Sequence, residues 1–216
     1  MKTLFVAILV CSASLVTAEV TITIDHNGNS SSSREFKFAR VPSPSKDDAA
    51  SRAKVTLVAG TIDNNSGGLA VLDDGALPST EDDPGASLFF KADTWGGRIL
   101  IDLRGVIDVA QINSYSWHRG RRAPQLYYVY ASDGTATGFN ESPGTKIDPT
   151  ACGWKKIAFV DTRPDRNRGG QYGVSITDST GSLGHYRYLL FDVFETESDD
   201  VFGNTFYSEI DIIERK

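Results

Sequence analysis

The sequence predicts an all-β protein, an antiparallel sandwich or barrel, on three observations. Apolar residues recur with a period of two. The runs that carry the pattern are short and rich in Val, Ile, Phe and Tyr. Glycine-containing turn pairs separate them, and no stretch of a dozen residues has an amphipathic helical pattern.

The N-terminus comes first. Lys2, an apolar Leu4 to Val10 and Val16-Thr17-Ala18 match the charged, apolar and small-residue regions of a secretory signal, with cleavage after Ala18. Cys11 invites a lipoprotein reading, but Val10 stands where a lipobox has a small residue. Residues 1–18 are thus expected to be a signal peptide and 19–216 one β-sandwich domain, delivered outside the cytoplasm: secreted, periplasmic or at the cell surface. No later segment has the ~18 consecutive apolar residues of a transmembrane span. Without the signal, Cys152 is the only cysteine, so no intrachain disulfide is expected. The formal charge of -6 argues against a nucleic-acid partner, because such binding rests on neutralising phosphates.

Strands are expected at Val20 to Ile24, Phe36 to Val41, Lys54 to Val58, Leu69 to Leu72, Ser87 to Lys91, Arg98 to Leu103 and Val109 to Trp117. Further strands are expected at Gln125 to Ala131, Trp154 to Val160, Tyr172 to Thr177, Tyr186 to Phe194 and Phe206 to Ile213. Turn pairs between them include Asn27-Gly28, Asp74-Gly75, Gly96-Gly97, Asp133-Gly134 and Gly169-Gly170. The polar stretches Asn29 to Ser33 and Ser43 to Ser51 read as loops.

Three loops could carry chemistry. Leu72 to Asp83 gathers carboxylates and hydroxyls around Gly75, an oxygen-rich set of the type calcium takes, though not with EF-hand spacing. A solvated acidic loop explains the same composition. Tyr115 to Arg122 puts an aromatic, an imidazole and three guanidiniums together. Either Trp117 stacks on a sugar ring while His118, Arg119 and Arg121 bond its hydroxyls or an acidic group, or Trp117 belongs to the core and the arginines lie over the sheet. Arg163 to Tyr172 is a third, basic loop; Arg166 and Arg168 would add to a positive patch if it lay beside the second. There is no Gly-x-Ser-x-Gly elbow, His-Glu-x-x-His pair or phosphate-cradling glycine loop, and His26, His118 and His185 are widely spaced.

In order, these pieces resemble the galactose-binding-like jelly rolls, the group of discoidin (coagulation-factor C-type) domains and secreted carbohydrate-binding modules. The resemblance spans about Gly67 to Ile213. It rests on Leu72-Asp73-Asp74-Gly75 followed by Ser79 and Thr80, on Ile101-Asp102-Leu103, on Ala131-Ser132-Asp133-Gly134 with Trp154 after it, and on the closing runs Tyr186 to Phe191 and Phe206 to Ile212. It implies a sandwich with ligand loops at one end. It also implies a structural calcium, with Asp74, Ser79 or Thr80, Glu209 and the carbonyls of Leu72 and Ser208 as ligands. The functional expectation is a non-catalytic module whose partner is a carbohydrate or glycoconjugate; a surface adhesion domain and a small jelly-roll glycan hydrolase are the alternatives.

Overall fold

The structure, a computed structural model, describes residues 18–163 and 169–216. The expected signal peptide therefore lies almost wholly outside the described residues, as do Arg166 and Arg168.

Among the described residues there are eight strands: β1 (Val20–Gly28), β2 (Lys54–Ala59), β3 (Gly96–His118), β4 (Leu126–Ser132), β5 (Lys155–Asp161), β6 (Gly170–Asp178), β7 (Gly184–Phe194) and β8 (Tyr207–Glu214). All the pairings are antiparallel. β3 organises them. Its first half pairs with β2 and β7, and β4 and β5 continue that layer in the order β2-β3-β7-β4-β5. Its second half pairs with β6 and β8, forming the layer β1-β6-β3-β8. The crossing point is a bulge: the register against β7 shifts between Asp102 and Ile107, and Arg104 takes a left-handed backbone (φ 67°). Asp102 Oδ1 accepts the Arg104 N–H at 2.9 Å, which holds the bend.

The space between the layers is the core. Alternating residues meet there: Ile99, Ile101 and Leu103 from one half of β3, Val109 and Ile112 from the other, Leu189, Phe191 and Val193 from β7, and Ile210 and Ile212 from β8. Each buried aliphatic of this size contributes about 1.5–3 kcal/mol. The outer face of the first layer carries a second cluster, with Leu100, Tyr130, Trp154, Tyr188 and Leu190. There Arg98, its side chain 5 % exposed, pairs with Asp192 through two bonds of 2.9 and 2.8 Å. It also donates to the carbonyls of Pro143, Gly144 and Ile147, fastening that loop to the sheet.

Several expectations are corrected. Leu69–Leu72 is a short 3-10 turn, not a strand; Val71 and Leu72 are buried by it without a partner strand. Phe36 to Val41 is irregular. Its period-two pattern serves packing instead: Phe38 lies 6.1 Å from Tyr115, Val41 is buried, and Arg40 pairs with Asp25. Ser87 to Lys91 makes only isolated bridges, Leu88 to Tyr207 and Phe90 to Ile62. The two runs expected before and after Arg104 form one continuous strand.

The outer face of the second layer is polar and covered. Asn113, Tyr115, Glu209 and Asp211 lie opposite one another in the β3–β8 register. The chain from Pro42 to Asp48 seals them: Ser45 N–H donates to Asp211, Tyr115 Oη donates to the Pro42 carbonyl, and Asp48 accepts the Ile212 N–H.

Candidate functional site

The site lies at one end of the sandwich, where the β2–β3, β3–β4 and β7–β8 loops converge. Phe89 and Phe206 stack there, with centroids 4.1 Å apart and planes at 13°. The Arg122 guanidinium lies over both, 4.0 Å from Phe206 and 4.8 Å from Phe89, with Phe202 at 5.7 Å. The Arg122 Nε–H donates to the Asn204 carbonyl, and the Phe206 N–H donates to the Arg122 carbonyl, so the loop and β8 hold each other. Among the described residues the terminal nitrogens of Arg122 make no hydrogen bond. Burial lowers its pKa, yet a guanidinium stays charged at neutral pH.

These groups border an open cleft of about 490 Å3, whose other walls include Asp63, Asn65 and Asp82. That volume suits a small ligand. Asp63 is set by its own turn, its Oδ1 accepting from the Asn65 backbone and side chain. Phe202 is 49 % exposed and offers a ring face. An aromatic platform, a cation with free donors and a few directed oxygens can bind a polyhydroxylated ring by stacking and by hydrogen bonds.

The residues expected from the sequence are distributed differently. Trp117 is 5 % exposed, on the outer face of the second layer, with its Nε1 buried and unpartnered; so covered a ring has no open face for stacking. Trp117 matches the core alternative. His118 adjoins the aromatic stack, 4.8 Å from Phe206 and edge-on. Its Nδ1 accepts the Gly120 N–H at 2.9 Å, and its Nε2 faces Asp82 at 3.9 Å. Burial, with the nearby Arg122 charge, lowers its pKa. Arg119 is open to solvent and 3.7 Å from Glu81. Arg121 is tied to Glu197 at 3.3 Å and Asp199 at 3.1 Å. Arg166 and Arg168 lie outside the described residues.

Sequence reasoning missed Arg122, Phe202, Asp63 and Asn65. A basic dipeptide, Arg121-Arg122, was visible, but not which member faces the aromatics. Phe202 follows an acidic run and reads as loop filler.

Of the expected calcium ligands, Glu209 has the most suggestive surroundings. It is 1 % exposed, its Oε2 accepts the Gly75 N–H at 2.8 Å, and its Oε1 is buried without a partner. Ser208 Oγ is likewise unpartnered. Burial, with Asp211 next in effect, pushes the Glu209 carboxyl up to about 9. The Asp74–Gly75 turn is pressed onto Lys46, with no room for a Cβ at Gly75, where φ is 73°. Asp74 itself accepts from Ala76 N–H, and Leu72 is buried beneath the same loop. Ser79 bonds Asp83, and with Thr80 it lines a polar groove beside Asn29 and Trp117. Among the described residues neither hydroxyl bonds Glu209, and no three acidic, His or Cys side chains converge as a metal cluster. Among the described residues Glu209 thus keeps one buried carboxylate oxygen without a partner, while Ser79 bonds Asp83.

No family model and no curated protein matches the chain. Among solved structures it is similar to the CBM32-6 module of CpGH89 from Clostridium perfringens, at 18% identity over 78% of this chain and 100% of that one, with a TM-score of 0.45. It is similar also to CBM32-1 from a family 31 glycoside hydrolase of the same organism, at 11% identity over 78% and 99%, with a TM-score of 0.47. A third is the CBM32 of AlyQ in complex with 4,5-unsaturated mannuronic acid, at 20% identity over 75% and 95%, with a TM-score of 0.38.

Proposed function

We propose that the chain is a secreted, non-catalytic carbohydrate-binding module that takes its ligand in the apical cleft. Phe202 supplies the stacking face. Arg122, held by Phe89 and Phe206, donates its free terminal N–H groups to sugar hydroxyls or a carboxylate, and Asp63 and Asn65 supply further directed polar atoms. The observation that carries this reading is Arg122: a half-buried guanidinium set over aromatic rings with its terminal donors unused beside a cleft of about 490 Å3. Unused donors on a fixed cation are what a ligand oxygen completes.

Export is part of the proposal, supported by the pattern of Lys2, the apolar run Leu4 to Val10 and Ala18; no helix among the described residues is long and apolar enough to cross a membrane. A structural calcium held by Glu209 and the Leu72–Gly75 loop is also part of it, supported by the unpartnered Glu209 Oε1. When bound, the ion would fix the loop against β8.

Glycan-array binding followed by calorimetry tests the site. The probes include galactose, N-acetylglucosamine and mannuronate, sugars of the kinds seen with the similar CBM32 modules. Phe202→Ala is expected to weaken binding about tenfold or more, as truncation of an aromatic hot spot does, with the melting temperature unchanged. Trp117→Phe is expected to retain binding. Equal affinity for Phe202→Ala and the parent protein removes the apical cleft from the account.

A further inference from the structure

Trp95 is 81 % exposed, the most open large apolar side chain among the described residues. A single exposed apolar residue is ordinary; this one has a cleft beside it. Trp95 and Phe194 flank a depression of about 500 Å3. Its floor is glycine: Gly60, Gly96 and Gly97 let the ends of β2, β3 and β7 approach closely. A Cβ at Gly96 would lie 2.1 Å from the Val193 carbonyl oxygen, and one at Gly97 would lie 2.3 Å from the Phe90 ring. These glycines leave backbone open to the depression, beside the Arg98–Asp192 pair. Asp93 and Thr145 also line the depression, and among the described residues neither the Asp93 carboxylate nor the Thr145 hydroxyl is engaged in a hydrogen bond.

The depression shares no lining residue with the apical cleft, but the loops that border the two are tied together. The Asp93 N–H donates to the Val201 carbonyl at 2.8 Å, Asn204 Nδ2 donates to the Thr94 carbonyl at 3.1 Å, and the Glu195 N–H donates to the Trp95 carbonyl at 3.1 Å. The loop bearing Trp95 is therefore fastened to the loop bearing Phe202. Val201, between them, is 51 % exposed. Phe202, Val201 and Trp95 are exposed apolar residues on these two tied loops, and each loop borders a cavity of ligand size with unused polar atoms.

The geometry points to a second sugar subsite between Trp95 and Phe194, so that the ligand is an oligosaccharide reaching across the two tied loops and not a single terminal sugar. Trp95 stacks on one unit while Asp93 and Thr145 bond its hydroxyls. This rests on the carbohydrate reading of the apical cleft and adds the length of glycan that the chain selects.

Calorimetry on the full chain with galactose, N-acetylglucosamine or mannuronate, and with the corresponding di- to tetrasaccharides, tests it. Affinity is expected to rise with length in the parent protein. Trp95→Ala, at an exposed position that the fold does not use, is expected to lose about tenfold on tetrasaccharide and nothing on monosaccharide. Trp117 and Trp154 are buried, so a fluorescence change with tetrasaccharide that vanishes in Trp95→Ala reports the same contact. Length-independent binding, or equal tetrasaccharide affinity in Trp95→Ala, overturns the second subsite and leaves the apical cleft standing. Absence of binding to every probe overturns both.

Discussion

Replacing Glu209 by Gln should stabilise the metal-free protein at pH 8. The carboxyl is buried at 1 % exposure with one hydrogen bond, from Gly75, and one orphaned oxygen. Burial lifts its pKa from 4.5 to about 9, so at neutral pH the folded state holds the proton that the unfolded chain has released. A raised acid works against folding as pH rises. Below pH 4.5 both states are protonated and no penalty exists; between 4.5 and about 9 the unfolded state loses its proton first and stability falls; above 9 the penalty is complete. At roughly 1.4 kcal/mol per pH unit the ceiling is about 6 kcal/mol, a large part of the ~5–15 kcal/mol by which domains are stable. Asp48 and Asp211, both raised first of all by burial, add in the same direction. Recovering even 2 kcal/mol with the uncharged isostere should raise Tm by about 4–8 °C in a chain of this length. The assay is thermal melting in chelator from pH 5 to 8.5, repeated with excess calcium. Wild type should lose Tm with rising pH in chelator and regain it with calcium, because an ion bound to the folded state alone stabilises by mass action. Glu209→Gln should be flatter with pH and indifferent to calcium. A variant that melts lower than wild type at pH 8 in chelator, or answers calcium as wild type does, refutes the reasoning.

Arg98→Met should cost about 3–5 kcal/mol, because it strands the buried Asp192 charge and frees three carbonyls of the Pro143–Ile147 loop. Adding Asp192→Leu should recover part of that loss; denaturant melts giving less than 1 kcal/mol for the single variant would contradict the pairing. His118, held low by burial, should contribute stability at and above pH 6.5 that is lost as pH falls from there toward its folded value. The stability difference between wild type and His118→Gln should therefore narrow on acidification below pH 6.5; a constant difference counts against it.

Much of the fold was legible because the pleat imposes a period of two on any half-buried strand. The closing runs became β7 and β8 within a residue or two, and Lys54 to Val58 became β2. The same period misled at Phe36 to Val41, where alternate residues pack without a partner strand: alternation reports which side chains are covered, not what the backbone bonds to. At Arg104-Gly105 the reverse occurred. The local signal breaks, but pairing with β7 on both sides of the bulge carries β3 through. In the candidate site, Trp117 shows the limit most clearly. Its side of β3 was readable from alternation with Tyr115 and Asn113. Whether that side faces solvent depends on Leu77 and Pro78, which share a small gap with Trp117 and Tyr115.

By itself, then, the sequence determined the β class, the order of the strands, the acidic Asp74–Gly75 turn and the basic loop after β3, because each depends on residues adjacent in the chain. Tertiary structure decided which of them form a site. Arg122 rather than Arg119 or Arg121 meets Phe89 and Phe206, two rings brought together from distant stretches by the bridge between Leu88 and Tyr207. Glu209 is buried against Gly75 only because β8 lies beside β3 under that loop. Contacts between residues far apart in the chain are set by the packing of the two layers, and no local pattern encodes them.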